Sequence, residues 1–292
     1  MKKLTVISGK GGTGKTTVTA NLAALAQNLV VADCDVDAPN LHLLLEPNQE
    51  TEETFVGAKQ AVKDNDRCID CGKCREVCNF GAVKEDFSID PIKCEGCGLC
   101  VALCPEEALS LEPEETGEIY FSQAKTGTMV HAQLKIGAEN SGKLVSEVKE
   151  EAETAASEED QDLLLVDGSP GIGCPVIASL NGVDAALIVT EPTKSGLSDL
   201  KRVVQVTDHF SIPAWVVINK YDLNPDLTAE IRNFCRQEDI LVIGEIPYSQ
   251  AVVEVMRQGE LIVEEKPDSK PAQGLNNIWQ EVENKLFAAG EK

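Results

Sequence analysis

Eight of the chain's 11 cysteines fall in one short stretch, as two copies of a single spacing. Cys68, Cys71, Cys74 and Cys78 read C-x2-C-x2-C-x3-C; Cys94, Cys97, Cys100 and Cys104 repeat it, and Pro105 follows the last. Thiolate sulfur is the soft ligand of iron–sulfur chemistry. This rhythm is the bacterial ferredoxin spacing for two [4Fe–4S] clusters, in which the fourth cysteine of each run serves the other cluster. That rule assigns Cys68, Cys71, Cys74 and Cys104 to one cluster, and Cys94, Cys97, Cys100 and Cys78 to the second. The halves match at an offset of 26 residues (94 minus 68) and close on similar turns, Gly81-Ala82-Val83 and Ala108-Leu109-Ser110. This is an internal duplication. A unit so small has little apolar core, so its metal must hold it together. Structural zinc in two four-cysteine sites is the competing reading, but the repeated rhythm is poor zinc-ribbon spacing.

The runs around this stretch constrain the remaining fold. Short apolar segments recur at 4–8, 29–34, 163–167, 185–190, 214–219 and 241–246. They are near-continuous in Val, Ile, Leu and Ala rather than alternating, as strands buried on both faces of a parallel sheet are. Helical patterns lie between them at 16–27, 195–209, 226–237 and 249–258. The alternation predicts an α/β fold, a doubly wound and mostly parallel sheet, with a small α+β ferredoxin-like insert. The expected domains are 1–58, first part of the large domain, 59–112, the cysteine insert, and 113–292, second part of the large domain. Acidic stretches at 46–53, which looks strand-poor, and 112–115 bound the insert. Residues 117–134 alternate enough for a hairpin, and 142–156 read as an exposed acidic helix. Leu275, Ile278, Trp279, Val282 and Leu286 recur at the spacing of a core-docked helix.

Gly9-Lys10-Gly11-Gly12-Thr13-Gly14-Lys15-Thr16-Thr17 follows the first apolar run and opens the first helical pattern. Glycines let the backbone wrap closely round phosphates, and the helix N-terminus adds a favourable dipole. In a strand, G-x4-G-K-T, helix arrangement, Lys15 reaches the β- and γ-phosphates and Thr16 ligates Mg²⁺. Gly9, Gly11, Gly12, Thr13, Gly14 and Thr17 complete the nucleotide loop.

With Lys10, the loop reads K-G-G-x-G-K-T-T and resembles the deviant Walker A loop of the MinD/Mrp/nitrogenase-iron-protein class of P-loop ATPases. The likeness covers nearly the whole chain. It implies ATP with Mg²⁺ as ligand, and a homodimer in which Lys10 reaches across to the partner's nucleotide. In Asp33-Cys34-Asp35-Val36-Asp37, Asp35 matches the residue that positions the attacking water, and Asp37 is an alternative support for Mg²⁺. Leu164-Leu165-Val166-Asp167 looks like Walker B, which gives Asp167 to Mg²⁺. Gly168-Ser169-Pro170-Gly171 looks like the second switch. Asn219-Lys220 matches the base-reading position and Pro247-Tyr248 the loop that closes over the nucleoside. By resemblance, Lys10, Lys15, Asp35 and Asp167 are the catalytic set. Asn219-Lys220-Tyr221-Asp222 also spells N-K-x-D, the guanine-reading pattern, with Asp222 as the guanine acceptor. The Lys10 loop favours ATP; GTP stays open.

A net charge of −23 argues against nucleic-acid or anionic-membrane partners, and no apolar run is long enough to span a bilayer. The N-terminus, MKKLTVIS, is too short in apolar residues for a signal peptide. Cysteines in metal spacing without an export signal point to a reducing cytoplasm. Of the other cysteines, Cys34 and Cys235 read as buried. Cys174 lies at a place similar to that of a cluster-ligating cysteine in the nitrogenase iron protein. Two copies of it would share a metal centre in a dimer, or it is a turn residue. The leading functional expectation is an ATP-driven dimer switch that passes electrons through two clusters to a redox partner. The alternatives are an Mrp-like assembly factor serving apo-metalloprotein clients, an amide-synthase-like ligase, and a MinD-like positioning protein. The ligase lacks a glutaminase-sized domain and has no use for clusters. The positioning protein would need a basic amphipathic tail.

Overall fold

The computed structural model describes residues 1–48, 50–135, 138 and 141–287. Its strands are β1 (Lys2–Ser8), β2 (Leu29–Asp33), β3 (Glu50–Lys63), β4 (Leu109–Ala124), β5 (Gly127–Leu134), β6 (Leu163–Pro170), β7 (Ala185–Thr190), β8 (Ala214–Asn219) and β9 (Leu241–Ile246). Its α-helices are α1 (Lys15–Leu25), α2 (His42–Leu45), α3 (Lys73–Val77), α4 (Leu99–Ala102), α5 (Ser141–Glu158), α6 (Cys174–Leu180), α7 (Lys194–His209), α8 (Pro225–Gln237), α9 (Gln250–Met256), α10 (Ile262–Glu265) and α11 (Lys270–Phe287). They divide into two compact units. The larger comprises Met1–Glu52, Ile119–Gln133 and Ser141–Lys292; the smaller comprises Glu53–Glu118 and Leu134–Asn140.

In the larger unit the strand order is β4-β5-β2-β6-β1-β7-β8-β9, with β4 contributing its last residues. β1 pairs in parallel with β6 and β7, β2 with β5 and β6, and β8 with β7 and β9. The continuous apolar runs are explained by two cores. Leu187 and Val189 of β7 pack with α1 and α11 on one face, while Ala186 and Ile188 pack with α6, α7 and α8 on the other. A strand covered on both sides has no solvent face to fill with polar residues. Each fully buried Leu or Ile contributes about 1.5–3 kcal/mol. The order reverses direction around β1, and in open α/β sheets such a point, at the carboxyl ends of the strands, is where ligands bind. Register places Asp33 of β2 directly beside Asp167 of β6 at that edge.

Two sequence expectations need correction. α5 is not an exposed helix: Leu144, Val145, Val148, Lys149, Ala152 and Ala156 are buried along one face. Its acids, such as Glu147 and Glu150, occupy the opposite face and mask a stripe at helical spacing. The 46–53 stretch is not strand-poor, since β3 begins at Glu50. The 117–134 hairpin is present, turning between β4 and β5 at Lys125-Thr126.

In the smaller unit β3 lies beside the first part of β4. α3 and α4 occupy equivalent positions at the 26-residue offset (99 minus 73), so the duplication in sequence is a duplication in structure. The described buried apolar residues are few: Phe55, Ala61, Ala82, Val83, Ala108 and Leu109.

Candidate nucleotide site and cysteine cavities

The glycine loop joins β1 to α1. Gly14 caps the helix at φ 94°, in the left-handed region where a side chain is strained. A Cβ there would stand 2.2 Å from Asn219 Nδ2. That closeness is functional geometry: Asn219 Nδ2 donates to the Thr13 carbonyl at 2.7 Å, and Lys220 Nζ to the Gly12 carbonyl at 3.2 Å. The end of β8 thus braces the loop.

Lys15 Nζ lies 2.8 Å from Asp167 Oδ2 and 3.6 Å from Asp35 Oδ2. Thr16 Oγ1 donates to Asp167 Oδ2 at 2.8 Å and Thr19 Oγ1 to Asp167 Oδ1 at 2.6 Å. Burial disfavours the Lys15 charge, but Asp167 and then Asp35 and Asp33 outweigh it, so its pKa stands above the ordinary value. Asp35 is raised by burial, against the pull of Lys15. Asp33 is pushed up to about 7, by burial first and by neighbouring Asp167 second. Its carboxylate accepts from the Asp35 and Leu41 amides at 3.0 and 3.2 Å, and so shapes the loop that carries Asp35. Asp33 and Thr19 were not singled out from sequence. Asp33's signal was its place at the end of an apolar run; Thr19's was its position one helical turn beyond Lys15.

A cleft of about 740 Å³ opens above the loop. Gly11, Gly12, Gly14, Lys15, Thr16 and Thr17 line it, with Asp35, Asp37 and Ser169 nearby, and Asn219, Pro247, Tyr248, Val252 and Met256 also face it. It therefore offers cationic, acidic and apolar walls to one elongated ligand. Thr13 Oγ1 is buried without a hydrogen-bond partner among the described residues, which suits a loop built for phosphate oxygens. Asp222 does not line the cleft; its Oδ1 accepts the Tyr248 amide at 2.7 Å. Lys10 Nζ contacts Glu191 Oε1 at 2.8 Å, Ser195 Oγ at 2.8 Å and Thr193 Oγ1 at 3.2 Å. Glu191, another residue that sequence reading passed over, also binds Lys220 at 3.0 Å through its other oxygen.

Residues 4–262 match the CobQ/CobB/MinD/ParA nucleotide binding domain. The chain belongs to this family. It is a P-loop ATPase of the MinD/ParA type, with the mostly parallel α/β sheet of that class. An uncharacterized protein of Methanocaldococcus jannaschii is 38% identical over 226 residues, 76% of this chain and 79% of that one. An iron-sulfur cluster carrier protein of Pyrococcus horikoshii is 26% identical over 306 residues, 97% of this chain and 86% of that one. Among solved structures, the septum site-determining protein MinD of Pyrococcus horikoshii, complexed with Mg-ADP, superposes with a TM-score of 0.60 at 20% identity, covering 100% of this chain and 99% of that one. No helix among the described residues is long and apolar enough to cross a membrane.

The eight clustered cysteines of this family member divide between two cavities of the smaller unit. Cys68, Cys71, Cys74 and Cys104 line one; Cys78, Cys94, Cys97 and Cys100 line the other. Among the described residues no group of three or more His, Cys, Asp or Glu is gathered tightly enough for a single ion. Four thiols round a cavity suit a multinuclear cluster better than one ion, and the donor set is all sulfur. Amide donors reach the sulfurs: Ala108 N to Cys104 Sγ at 3.3 Å and Ala61 N to Cys94 Sγ at 3.5 Å. Burial raises the Cys78 pKa, but amides of residues 80–83 together draw it below its ordinary value. Burial raises Cys74 and Cys100. Cys34 and Cys235 are buried, and Cys174 is exposed at the start of α6.

Proposed function

We propose that this ATPase couples nucleotide-dependent pairing of two copies to electron transfer through two [4Fe–4S] clusters. The observation that carries the reading is the partition of eight cysteines into two cavities of four, the first with Cys68, Cys71, Cys74 and Cys104, the second with Cys78, Cys94, Cys97 and Cys100. When bound there, the clusters supply one-electron chemistry. In the larger unit, Lys15 and Lys10 offset phosphate charge, Thr16 and Asp167 hold Mg²⁺, and Asp35 orients water. Asn219 and Lys220 brace the loop by its carbonyls, leaving its amides to face the nucleotide. Pro247 closes the base end.

The test is iron and sulfide content of anaerobically prepared protein, with delivery of electrons to a one-electron acceptor under ATP, ADP or no nucleotide. About eight irons per chain and an ATP-dependent rate are expected. Rates equal in all three conditions would end the coupling claim; protein without iron would end the cluster claim. Lys15→Ala should lower phosphate release by about a hundred- to a thousandfold.

A second reading is a carrier that hands iron–sulfur clusters to apo-proteins. Full-length similarity to an iron-sulfur cluster carrier protein favours it, as does the exposure of Cys174. It expects Cys174→Ser to abolish transfer to an apo-protein while the absorbance of the two resident clusters persists.

A further inference from the structure

Ala61 and Lys63 stand two apart on β3, hence on one face of it. They line different cavities, Ala61 the one walled by Cys78, Cys94, Cys97 and Cys100, and Lys63 the one walled by Cys68, Cys71, Cys74 and Cys104. The other charged side chains at the cavities are Asp70, Lys73 and Glu106 at the first and Glu95 at the second. All four are exposed, where water and salt screen them. Lys63 is only 15% exposed. Its Nζ donates to the Asp86 carbonyl at 3.3 Å and stands 5.9 Å from the centre of the Phe87 ring, so the ammonium is fixed in place. Asp70 Oδ1 lies 3.7 Å away, but Asp70 is 67% exposed and offsets little of that charge.

We propose that Lys63 makes the two cysteine sites electrostatically unequal, so that the iron–sulfur cluster at Cys68, Cys71, Cys74 and Cys104 is the more easily reduced and holds the first electron to enter the unit. The inference rests on the two-cluster reading above. Reduction adds one negative charge to a site. A fixed, poorly solvated cation at its wall stabilises that charge, and the methyl group of Ala61 does not. One pair of backbone donors follows the duplication, the Ala82 amide at Cys78 and the Ala108 amide at Cys104. The Ala61 amide at Cys94 is a further donor at the second cavity, but it is a neutral dipole, whereas Lys63 brings a full charge to the first. Lys63 has no such counterpart at the second cavity. The event is transfer of one electron from an external one-electron reductant. No bond to iron or sulfur forms or breaks, and no proton moves.

The experiment is an anaerobic redox titration of the full chain with dithionite, followed by electron paramagnetic resonance. It compares wild type, Lys63→Met, which keeps the bulk and removes the charge, and Lys63→Arg, which keeps the charge. Cys71→Ser and Cys97→Ser, each removing a ligand from one site, assign the signals. The wild-type signal lost in Cys71→Ser should have the higher midpoint. Lys63→Met should lower that midpoint by about 59 mV, a tenfold shift in a one-electron equilibrium, and leave the other in place; Lys63→Arg should restore it. Midpoints that do not move in Lys63→Met, or that move equally, overturn this inference and leave two clusters standing. Wild-type protein without either signal overturns both readings together.

Discussion

Lys10 Nζ lies 2.8 Å from Glu191 Oε1, and the hydroxyls of Thr193 and Ser195 accept from the same ammonium. A lysine has three donors, so this one is fully engaged within its own chain. For Lys10 to serve a second copy's nucleotide it must leave Glu191. Both side chains are partly exposed, at 28% and 15%, so the pair is worth about 1 kcal/mol. Glu191→Ala should therefore lower the ATP concentration needed for pairing by about fivefold, as read by analytical ultracentrifugation. Lys10→Ala should cancel the gain in the double variant. An unchanged pairing curve would show that Glu191 does not compete for Lys10.

The N-K-x-D spelling at 219–222 is met by a different structural use. Asp222 holds the Tyr248 amide and stands outside the cleft lining. Asp222→Ala should weaken ATP and GTP binding alike, by about tenfold for a lost bond to a charged acceptor. Isothermal titration with both nucleotides checks this. Selective loss of GTP binding would restore the guanine-reading role.

Gly96 has φ 58°, and a Cβ on it would lie 1.9 Å from the Lys59 carbonyl oxygen. No side chain fits there without moving β3. Gly96→Ala should cost the protein the second cysteine site, halving iron per chain from about eight to about four. Retention of all the iron in folded protein would contradict the geometry.

His131 is stacked between His42 and Tyr120, with ring centroids 5.7 and 5.0 Å away. Burial, and then the neighbouring His42, lower its pKa from 6.5 to about 4. The unfolded chain thus takes up this proton first as pH falls. Stability is intact above about pH 6.5 and is lost progressively towards pH 4, by at most about 3 kcal/mol. Urea unfolding followed by Trp215 and Trp279 fluorescence should show a smaller acid loss in His131→Phe. Parallel curves for the two proteins would exclude His131 as the source.

What the sequence disclosed was whatever local pattern carries. The runs at 185–190, 214–219 and 241–246 coincide with β7, β8 and β9, because a doubly covered strand leaves an uninterrupted apolar signature. The phosphate loop was legible because glycine, lysine and threonine at fixed spacing have few other uses. β3 was hidden by its acidic start, and the buried face of α5 by the acids opposite. Asp33 and Glu191 were missed for another reason. Register puts Asp33 beside Asp167, and the chain path brings Glu191 between Lys10 and Lys220, about 180 residues from the first. Neither neighbourhood is written in a local window.

Ser169 Oγ donates to the carbonyl of Cys34 at 2.6 Å in a fully buried bond. It ties the end of β6, the strand that carries Asp167, to the segment after β2, which carries Asp35. An orphaned carbonyl in that interior would cost about 1–3 kcal/mol. The two segments are accordingly yoked: a force that displaces one must drag its companion along or snap the tether, and news of a ligand's arrival cannot stay on one side of the cleft.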